Sequence, residues 1–256
     1  MKKKTIFLGM MLATMLSQGC QHSTNNETDN ETAKTDSLSE VLQGDSTVYG
    51  LACDGCTDTI LVFLPLNDIT ADPDTFNILS ATRNHRILGH PTVGERIAVV
   101  RNATDSTKAD FVIVMDDLYG SWCYQALPTL KESAGMAGLS KKQQLKVIPD
   151  SIKEALKVAR EYGMHLNGDH TARAIGMVRP NEHQDDEQII VYPKVKRYRE
   201  WQLYNGKLLL REMSLDSTGN HRVVATDTAE FMLMAKDSLV LRFGDTLREY
   251  YRKKGE

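Results

Sequence analysis

Short runs of apolar and β-branched residues, separated by polar turn residues, cover most of the chain after Thr47. Their lengths and flanking turns are those of β-strands. Two of the runs, Ile60–Leu64 and Phe111–Met115, are apolar without alternation, which predicts strands that are buried on both faces. The predicted strands are Thr47–Ala52, Thr59–Leu66, Arg96–Arg101, Asp110–Met115, Ser121–Leu127, Ala172–Val178, Gln188–Pro193, Tyr198–Tyr204, Lys207–Ser214, His221–Thr226, Glu230–Ala235, Ser238–Phe243 and Thr246–Arg252.

The pattern near the C-terminus predicts an antiparallel meander, because turn signals fall between successive strands. Asn205-Gly206 is the strongest hairpin signal in the chain. Ser217–Asn220, Lys236-Asp237 and Gly244-Asp245 supply the next turns. Turns at this spacing indicate an antiparallel sheet that closes into a barrel or a sandwich. The predicted fold class is therefore mainly β.

A helical inset is predicted near residues 129–163. Ser140–Gln143 has the form of a capping box at a helix start, and Ser151–Glu154 has the form of a second one. The residues after the second box form one apolar stripe, which is expected to pack on the core: Ile152, Ala155, Leu156, Ala159 and Tyr162. A further helix is expected at Leu130–Gly138, weakened by its glycines.

The N-terminus has the parts of an export signal. Met1–Lys4 is cationic, and Ile6–Leu16 is an apolar run of 11 residues, which is too short to span a bilayer. Ser17–Cys20 follows, and the whole segment resembles a bacterial lipoprotein signal. The resemblance implies a signal peptide at 1–19 and palmitate on Cys20, which would hold the protein at a membrane. The alternative is a secreted protein that is cut nearby, in which Cys20 is incidental.

Residues 20–46 are polar and contain few large apolar side chains. A segment of this composition cannot bury a core, so a disordered tether is expected between the lipid and the folded part. The pattern thus divides the chain into a signal peptide at 1–19, a lipidated cysteine with a disordered tether at 20–46, and a β-barrel-like domain with a helical inset at 47–256.

The net charge argues against a nucleic-acid partner. The chain carries −3, from 31 Lys and Arg against 34 Asp and Glu, and loss of the lysines in the signal peptide would make it more negative. No basic run remains that could follow a phosphate backbone. The expected partners are the membrane, through the lipid anchor, and another envelope protein.

Three cysteines remain after lipidation, namely Cys53, Cys56 and Cys123, so one thiol is left over whichever disulfide forms. The compartment of an exported protein favours pairing. In the chain-entropy description a Cys53–Cys56 bridge contributes about 1.9 kcal/mol and a Cys56–Cys123 bridge about 4.4 kcal/mol. A structural disulfide should therefore involve Cys123, whereas a Cys53–Cys56 bond would be labile and suited to redox sensing.

A metal site is the alternative use of these thiols. Cys53 and Cys56 could hold Cu(I), with Cys123 as a third ligand. Zinc requires a fourth ligand, for which His85 and His90 are the candidates. Thioredoxin-like chemistry is disfavoured, because the motif leads into a predicted strand and not into a helix N-terminus. Copper and zinc both stay open as cofactors.

The stretch from Gly50 to Cys56, Gly-Leu-Ala-Cys-Asp-Gly-Cys, leads into an apolar strand, and Asp237–Arg252 forms a closing hairpin. These stretches resemble the N-terminal domain of NlpE-type bacterial lipoproteins, and the chain is also similar to uncharacterised envelope lipoproteins. The resemblance implies a lipocalin-like barrel begun by the Cys-x-x-Cys strand, an outer-membrane location facing the periplasm or the cell surface, and a part in copper handling or envelope sensing. Ala52 stands where that family has proline, and its second Cys-x-x-Cys is absent.

The predicted function is a membrane-anchored binding or sensing module, responsive to copper or redox state through the Cys-x-x-Cys. One alternative is a structural or protein-interaction lipoprotein without a ligand, which predicts that Leu61, Phe63 and Ile113 fill the barrel. The other is a hydrolase, although Ser121 lacks a Gly-x-Ser-x-Gly elbow and the chain has no zincin, P-loop or dinucleotide motif. No catalytic residue is predicted.

Overall fold

The computed structural model describes residues 42–131, 138–176, 190–193 and 195–254, all within a compact unit that spans 37–256. Strands form most of the regular structure in these residues. The strands are β1 (Thr47–Ala52), β2 (Ile60–Pro65), β3 (Asp74–Asn77), β4 (Ile87–Leu88), β5 (Arg96–Arg101), β6 (Ala109–Val114), β7 (Gly120–Ala126), β8 (Thr129–Leu130), β9 (Arg160–Leu166), β10 (Ala172–Ile175), β11 (Ile190–Val191), β12 (Tyr198–Tyr204), β13 (Lys207–Leu215), β14 (His221–Ala235), β15 (Ser238–Phe243) and β16 (Thr246–Arg252). The helices are α1 (Leu79–Arg83), α2 (Met115–Leu118), α3 (Lys141–Val147) and α4 (Asp150–Lys157).

The first part of the chain forms a six-stranded sheet in the order β3-β2-β1-β5-β6-β4. β4 and β6 are parallel, and the other pairs are antiparallel. The central strands β5 and β6 are buried on both faces, which confirms the prediction for Phe111–Met115. The same prediction is wrong for Ile60–Leu64, because β2 buries Leu61 and Phe63 on one face and leaves Ile60 on the other face exposed. Ala98 and Ile113 join one apolar cluster, whereas Val99 and Val112 join the other. The two faces of this sheet therefore belong to two different cores.

The second sheet has eight antiparallel strands in the order β10-β9-β7-β16-β15-β14-β13-β12. A bridge between Thr171 and Glu200 brings the two edges of this sheet together. The sheet is therefore a nearly closed antiparallel barrel, which we call the barrel. Its last five strands are the predicted meander, with the Asn205-Gly206 turn between β12 and β13. The mainly β fold class, with a meander that closes into a barrel, is confirmed.

One apolar cluster joins the barrel to the six-stranded sheet. It contains barrel side chains such as Trp122, Trp201 and Leu208 together with Ala98 and Phe111 of the sheet. Burial of a large apolar side chain is worth about 1.5–3 kcal/mol, so this shared core is a major source of stability for both sheets.

The helical inset is shorter than predicted. The capping box at the start of α3 is confirmed, since the Ser140 N–H donates to Gln143 Oε1 at 2.9 Å. The second box is wrong, because α4 already begins at Asp150, after Pro149. Tyr162 lies in β9 and not on the predicted helical stripe, and α4 buries none of its residues. The chain leaves the helix early because Arg160–Leu166 pairs with β7 in the barrel.

Several sequence predictions concern residues outside the described part of the chain. These are the signal peptide, most of the tether, Cys20, the middle of the predicted Leu130–Gly138 helix, and the residues between β10 and β11. Among the described residues, no helix is long and apolar enough to cross a membrane.

The end of the predicted tether is held by the barrel. The Asn205 side chain accepts hydrogen bonds from the Ser46 N–H at 2.9 Å and from its hydroxyl at 2.7 Å, and it donates to the Gly44 carbonyl at 2.9 Å. The Asn205 N–H in turn donates to an Asp45 carboxylate oxygen at 3.0 Å. The prediction of disorder up to Ser46 is therefore wrong for these last residues, because a distant turn satisfies their polar groups.

Candidate functional site

The Cys-x-x-Cys lies in the hairpin between β1 and β2 of the six-stranded sheet. The expectation that this strand begins the barrel is therefore wrong, because β1 pairs with β5 over Thr47 to Leu51. Cys53 and Cys56 are both half-buried free thiols. Cys56 Sγ lies 3.4 Å from the Val62 N–H nitrogen, which can donate to it, and 3.2 Å from the Cys53 carbonyl oxygen.

The other predicted ligands do not converge on this hairpin. Cys123 lies on β7 of the barrel, is fully buried and forms no disulfide with Cys53 or Cys56. His85 follows α1, and His90 lies in the exposed loop after β4. Across the described ranges, no group of three or more His, Cys, Asp or Glu side chains could hold a metal ion. The structure thus leaves Cys53 and Cys56 as a pair, without Cys123, His85 or His90.

A cavity of about 400 Å³ lies among strands of the barrel. Its wall comes from β7, β9, β12, β14, β15 and β16, which enclose it from several sides. The lining residues are Tyr124, Gly163, Met164, Val195, Lys196, Tyr198, Asp227, Thr228, Phe243, Gly244, Thr246, Arg248 and Tyr250. We call this end of the barrel the mouth, since the lining includes the Phe243–Thr246 turn.

The opposite end of the barrel is closed by Arg252. Its guanidinium lies over the Trp122 ring at 4.3 Å and donates to the Tyr119 and Lys236 carbonyls, each at 2.7 Å, and to the Asp117 carbonyl. Trp122 donates in turn to the Leu118 carbonyl at 2.7 Å. A charged donor that satisfies several carbonyls is a strong interaction, so Arg252 holds the chain segments at this end of the barrel together.

One carboxylate in the cavity is fully engaged by neighbours. Lys196 Nζ lies 2.7 and 2.5 Å from the two Asp227 oxygens, and the Tyr198 hydroxyl also donates to Asp227. Burial acts to raise the pKa of Asp227, but these hydrogen bonds outweigh it and hold that pKa below its ordinary value. Burial, and then the hydrogen bond to Asp227, raise the pKa of Tyr198. Asp227 is therefore ionised at neutral pH, with its charge matched by Lys196.

A second group of polar side chains lies on β16. The Arg248 guanidinium stacks over the Tyr124 ring at 4.7 Å. Tyr250 is 6% exposed, and burial raises its pKa to about 12, although the Arg248 guanidinium beside it opposes the rise. Tyr250 therefore keeps its proton at neutral pH and can donate a hydrogen bond. Cation and phenol together form a donor pair at the wall of the cavity.

Sequence patterns do not predict these cavity residues. Lys196, Asp227 and Arg248 are far apart along the chain and match no motif. One signal was present in β16, where Thr246, Arg248 and Tyr250 are alternate residues and so share a face of the strand. An arginine on the same strand face as a buried aromatic residue indicates that this face does more than pack against a core.

One comparison with known proteins concerns the last strands of the barrel. The family model described as Lipocalin-like matches residues 194–254, the part of the chain that holds β12 to β16. Among solved structures, a lipocalin-like protein from Bacteroides thetaiotaomicron VPI-5482 is 18% identical, with 54% of this chain and 97% of that chain covered, at a TM-score of 0.28. No curated protein matches. The family-model match therefore supports the predicted lipocalin-like fold for the part of the barrel that β12 to β16 form.

Proposed function

We propose that this protein is a binding or carrier module that holds a small molecule at the mouth of the barrel. The observation that carries the proposal is the cavity of about 400 Å³, closed at the Arg252 end and lined by convergent polar groups. Small-molecule sites commonly have volumes of about 300–1,000 Å³, and barrel mouths are a recurrent place for them.

A ligand-free structural role accounts less well for this architecture. That hypothesis predicts a barrel filled by Leu61, Phe63 and Ile113. Leu61 and Phe63 instead form the core on the far side of the six-stranded sheet, and Ile113 lies on the sheet face that packs against the barrel. The barrel keeps a ligand-sized space that these side chains do not occupy.

The test fills the cavity and measures binding of a neutral fluorescent probe, phenylnaphthylamine. Val195 lines the cavity from the segment before β12, so Val195→Trp places a large ring in the space. Val93→Trp, at an exposed loop position of the six-stranded sheet, is the matched control. We expect saturable binding by the unaltered protein and by the control, and a loss of about tenfold or more in affinity for Val195→Trp. Equal affinity in both variants, or no saturable binding at all, would overturn the proposal.

A second function is favoured by the hairpin that carries Cys53 and Cys56. We propose that this pair responds to redox state or binds Cu(I), separately from the barrel. Both thiols are free and partly accessible, and thiols are the groups that Cu(I) binding and disulfide exchange require. Copper titration of the reduced protein, followed by mass and by charge-transfer absorption, tests the metal version. Saturable binding of one equivalent that is lost in Cys53→Ser supports it, and its absence ends it.

We also propose that the module is anchored in the outer membrane by lipid on Cys20. The support is the signal-like segment and the polar residues that follow it. The mass of the protein purified from the envelope should show a chain that begins at Cys20 with acyl groups attached. An unmodified chain with another first residue contradicts the anchor and leaves the barrel proposal intact.

A further inference from the structure

We infer that the cavity takes a small organic anion, whose acid group is held by Arg248 and Tyr250. This inference rests on the proposed binding function and names the chemical class of the ligand. The inference does not follow from the lipocalin-like fold, because it depends on the charged residues that line the cavity of this protein.

The charges of the wall leave one cation uncompensated. Lys196, Asp227 and Arg248 are the charged residues among those that line the cavity. The contacts of 2.7 and 2.5 Å between Lys196 Nζ and Asp227 join those two as an ion pair. Arg248 forms no ion pair with a carboxylate of the described residues; it stacks over Tyr124 and hydrogen-bonds to Tyr250. A concave wall with one excess positive charge attracts an anion.

The donors that are not bound to a carboxylate lie on one side of the cavity. The Tyr198 hydroxyl already donates to Asp227, so it is not available to a ligand. Arg248 and Tyr250, two residues apart on β16, face the space together. A guanidinium presents paired N–H groups that match a carboxylate or sulfonate, and stacking on Tyr124 at 4.7 Å holds it in position. Arg248 and Tyr250 can therefore both donate hydrogen bonds to one acid group.

The remaining wall suits an apolar body. Met164 and Phe243 line the cavity beside Val195 and the Tyr124 ring. Met164 is 2% exposed, so this wall is continuous with the packed interior of the barrel. A ligand with one acid group and a compact ring system would satisfy both sides, with its charge at Arg248 and its rings against Met164 and Phe243.

The test uses two probes that differ in one group. Anilinonaphthalene sulfonate carries the same ring framework as phenylnaphthylamine with an added sulfonate. We expect the unaltered protein to bind the sulfonate more tightly than the neutral probe, by about tenfold at low salt, and to lose part of this preference as salt is added. In Arg248→Met the affinity for the sulfonate should fall by about tenfold or more, while that for the neutral probe stays within about twofold.

Four further variants distinguish direct contact between Arg248 and the sulfonate from attraction by the net charge of the cavity. Arg248→Lys should keep a part of the preference, and Arg83→Met, an exposed cation on α1, should change nothing. Lys196→Met and Arg248→Met remove one charge each, so general attraction would weaken binding equally in both. Asp227→Asn adds one net positive charge and should strengthen sulfonate binding by about threefold.

The outcomes distinguish this inference from the proposed function. If neither probe binds the unaltered protein, or if Val195→Trp has no effect, the barrel is not a ligand site and both ideas fail. If phenylnaphthylamine binds at the cavity but the sulfonate gains no preference, or keeps it in Arg248→Met, the binding function stands and the anion assignment is overturned. Equal losses in Lys196→Met and Arg248→Met overturn the assignment of the acid group to Arg248.

Discussion

The six-stranded sheet and the barrel are built from similar strands, but they use their inward faces differently. The core behind the sheet is apolar throughout, with Phe63 and Phe76 in edge-to-face contact at 5.5 Å. The barrel begins in the same way at its closed end, with Trp122 and Trp201 among the largest buried side chains. Toward its mouth the inward positions change to Tyr, Asp and Arg, and a cavity replaces packing.

The apolar face of the sheet contributes to stability, whereas the polar mouth of the barrel offers groups that can contact a ligand. A face that is apolar along its whole length can only be packed, because an unpaired charge there would be costly. A face that ends in charged and phenolic groups needs water or a ligand to complete it. The sheet thus packs against the barrel, and the Cys53–Cys56 pair, for which we propose a separate role, lies in its β1–β2 hairpin.

The largest expected effect is on the free energy of unfolding, when one large side chain is removed from the barrel core or from the core behind the sheet. Trp122→Ala in the barrel and Phe63→Ala behind the sheet should each lower the free energy of unfolding by about 3–5 kcal/mol. Because β5 and β6 contribute to both cores, each variant should unfold in one transition, seen alike by circular dichroism and by fluorescence in urea.

Val147→Ala, at a 72% exposed position of α3, is the control and should stay within about 0.5 kcal/mol. Two separate transitions in either core variant would show that the sheet and the barrel are independent units, which contradicts the shared core.

A smaller effect is expected from the cysteines. In the folded protein iodoacetamide should modify Cys53 and Cys56 well before Cys123, which has 0% exposure and should react only on unfolding. Oxidation of the Cys53–Cys56 pair should raise stability by no more than about 1.9 kcal/mol, because the loop that it closes is short.

Mass analysis of peptides identifies the modified thiols, with Cys123→Ser to assign the protected one. Fast labelling of Cys123 in the folded state would mean that the barrel wall opens locally. A much larger stabilisation by oxidation would show that the hairpin is strained in its reduced form.

The smallest expected effect concerns pH at the junction of the sheet and the barrel. His170 packs between Tyr49 of β1, at 6.2 Å between ring centres, and Trp201 of β12, at 4.9 Å. Burial lowers the pKa of His170 below 6.5, against the opposing effects of the Trp201 backbone and Asp169. The unfolded chain therefore binds this proton more readily, so stability should fall as the pH drops through about 6.5 toward the lower folded-state pKa.

Urea unfolding at a series of pH values measures this slope. His170→Gln should show a shallower loss of stability on acidification than the unaltered protein, whereas His90→Gln, in an exposed loop, should behave as the unaltered protein does. An unchanged slope in His170→Gln would show that other groups control the acid sensitivity of the junction.

Local patterns predicted much of the barrel. β12, β15 and β16 have the predicted bounds, since each is a short run closed by turn residues such as Asn205-Gly206. β9 was missed because the apolar spacing before it fits a helix, and only its pairing with β7 decides otherwise. The two strands predicted at His221–Thr226 and Glu230–Ala235 form one strand, because β13 pairs along the whole length between them.

The candidate site was beyond the reach of sequence patterns. Its charged residues come from three different strands or their flanks, and only the closure of the barrel brings Lys196, Asp227 and Arg248 to one wall. The Cys-x-x-Cys motif was visible at once, yet its place in the six-stranded sheet depends on the pairing of β1 with β5, which are some fifty residues apart.

The sequence by itself determined the mainly β character, the positions of most strands and the turns between them. These follow from the conformational preferences and solvation of neighbouring residues, which act over a few positions of the chain. Tertiary structure decided which strands share a sheet, which end of the barrel is sealed and which charges meet at the other end. Those outcomes depend on contacts between distant residues, whose free energy is gained only when the whole core is assembled.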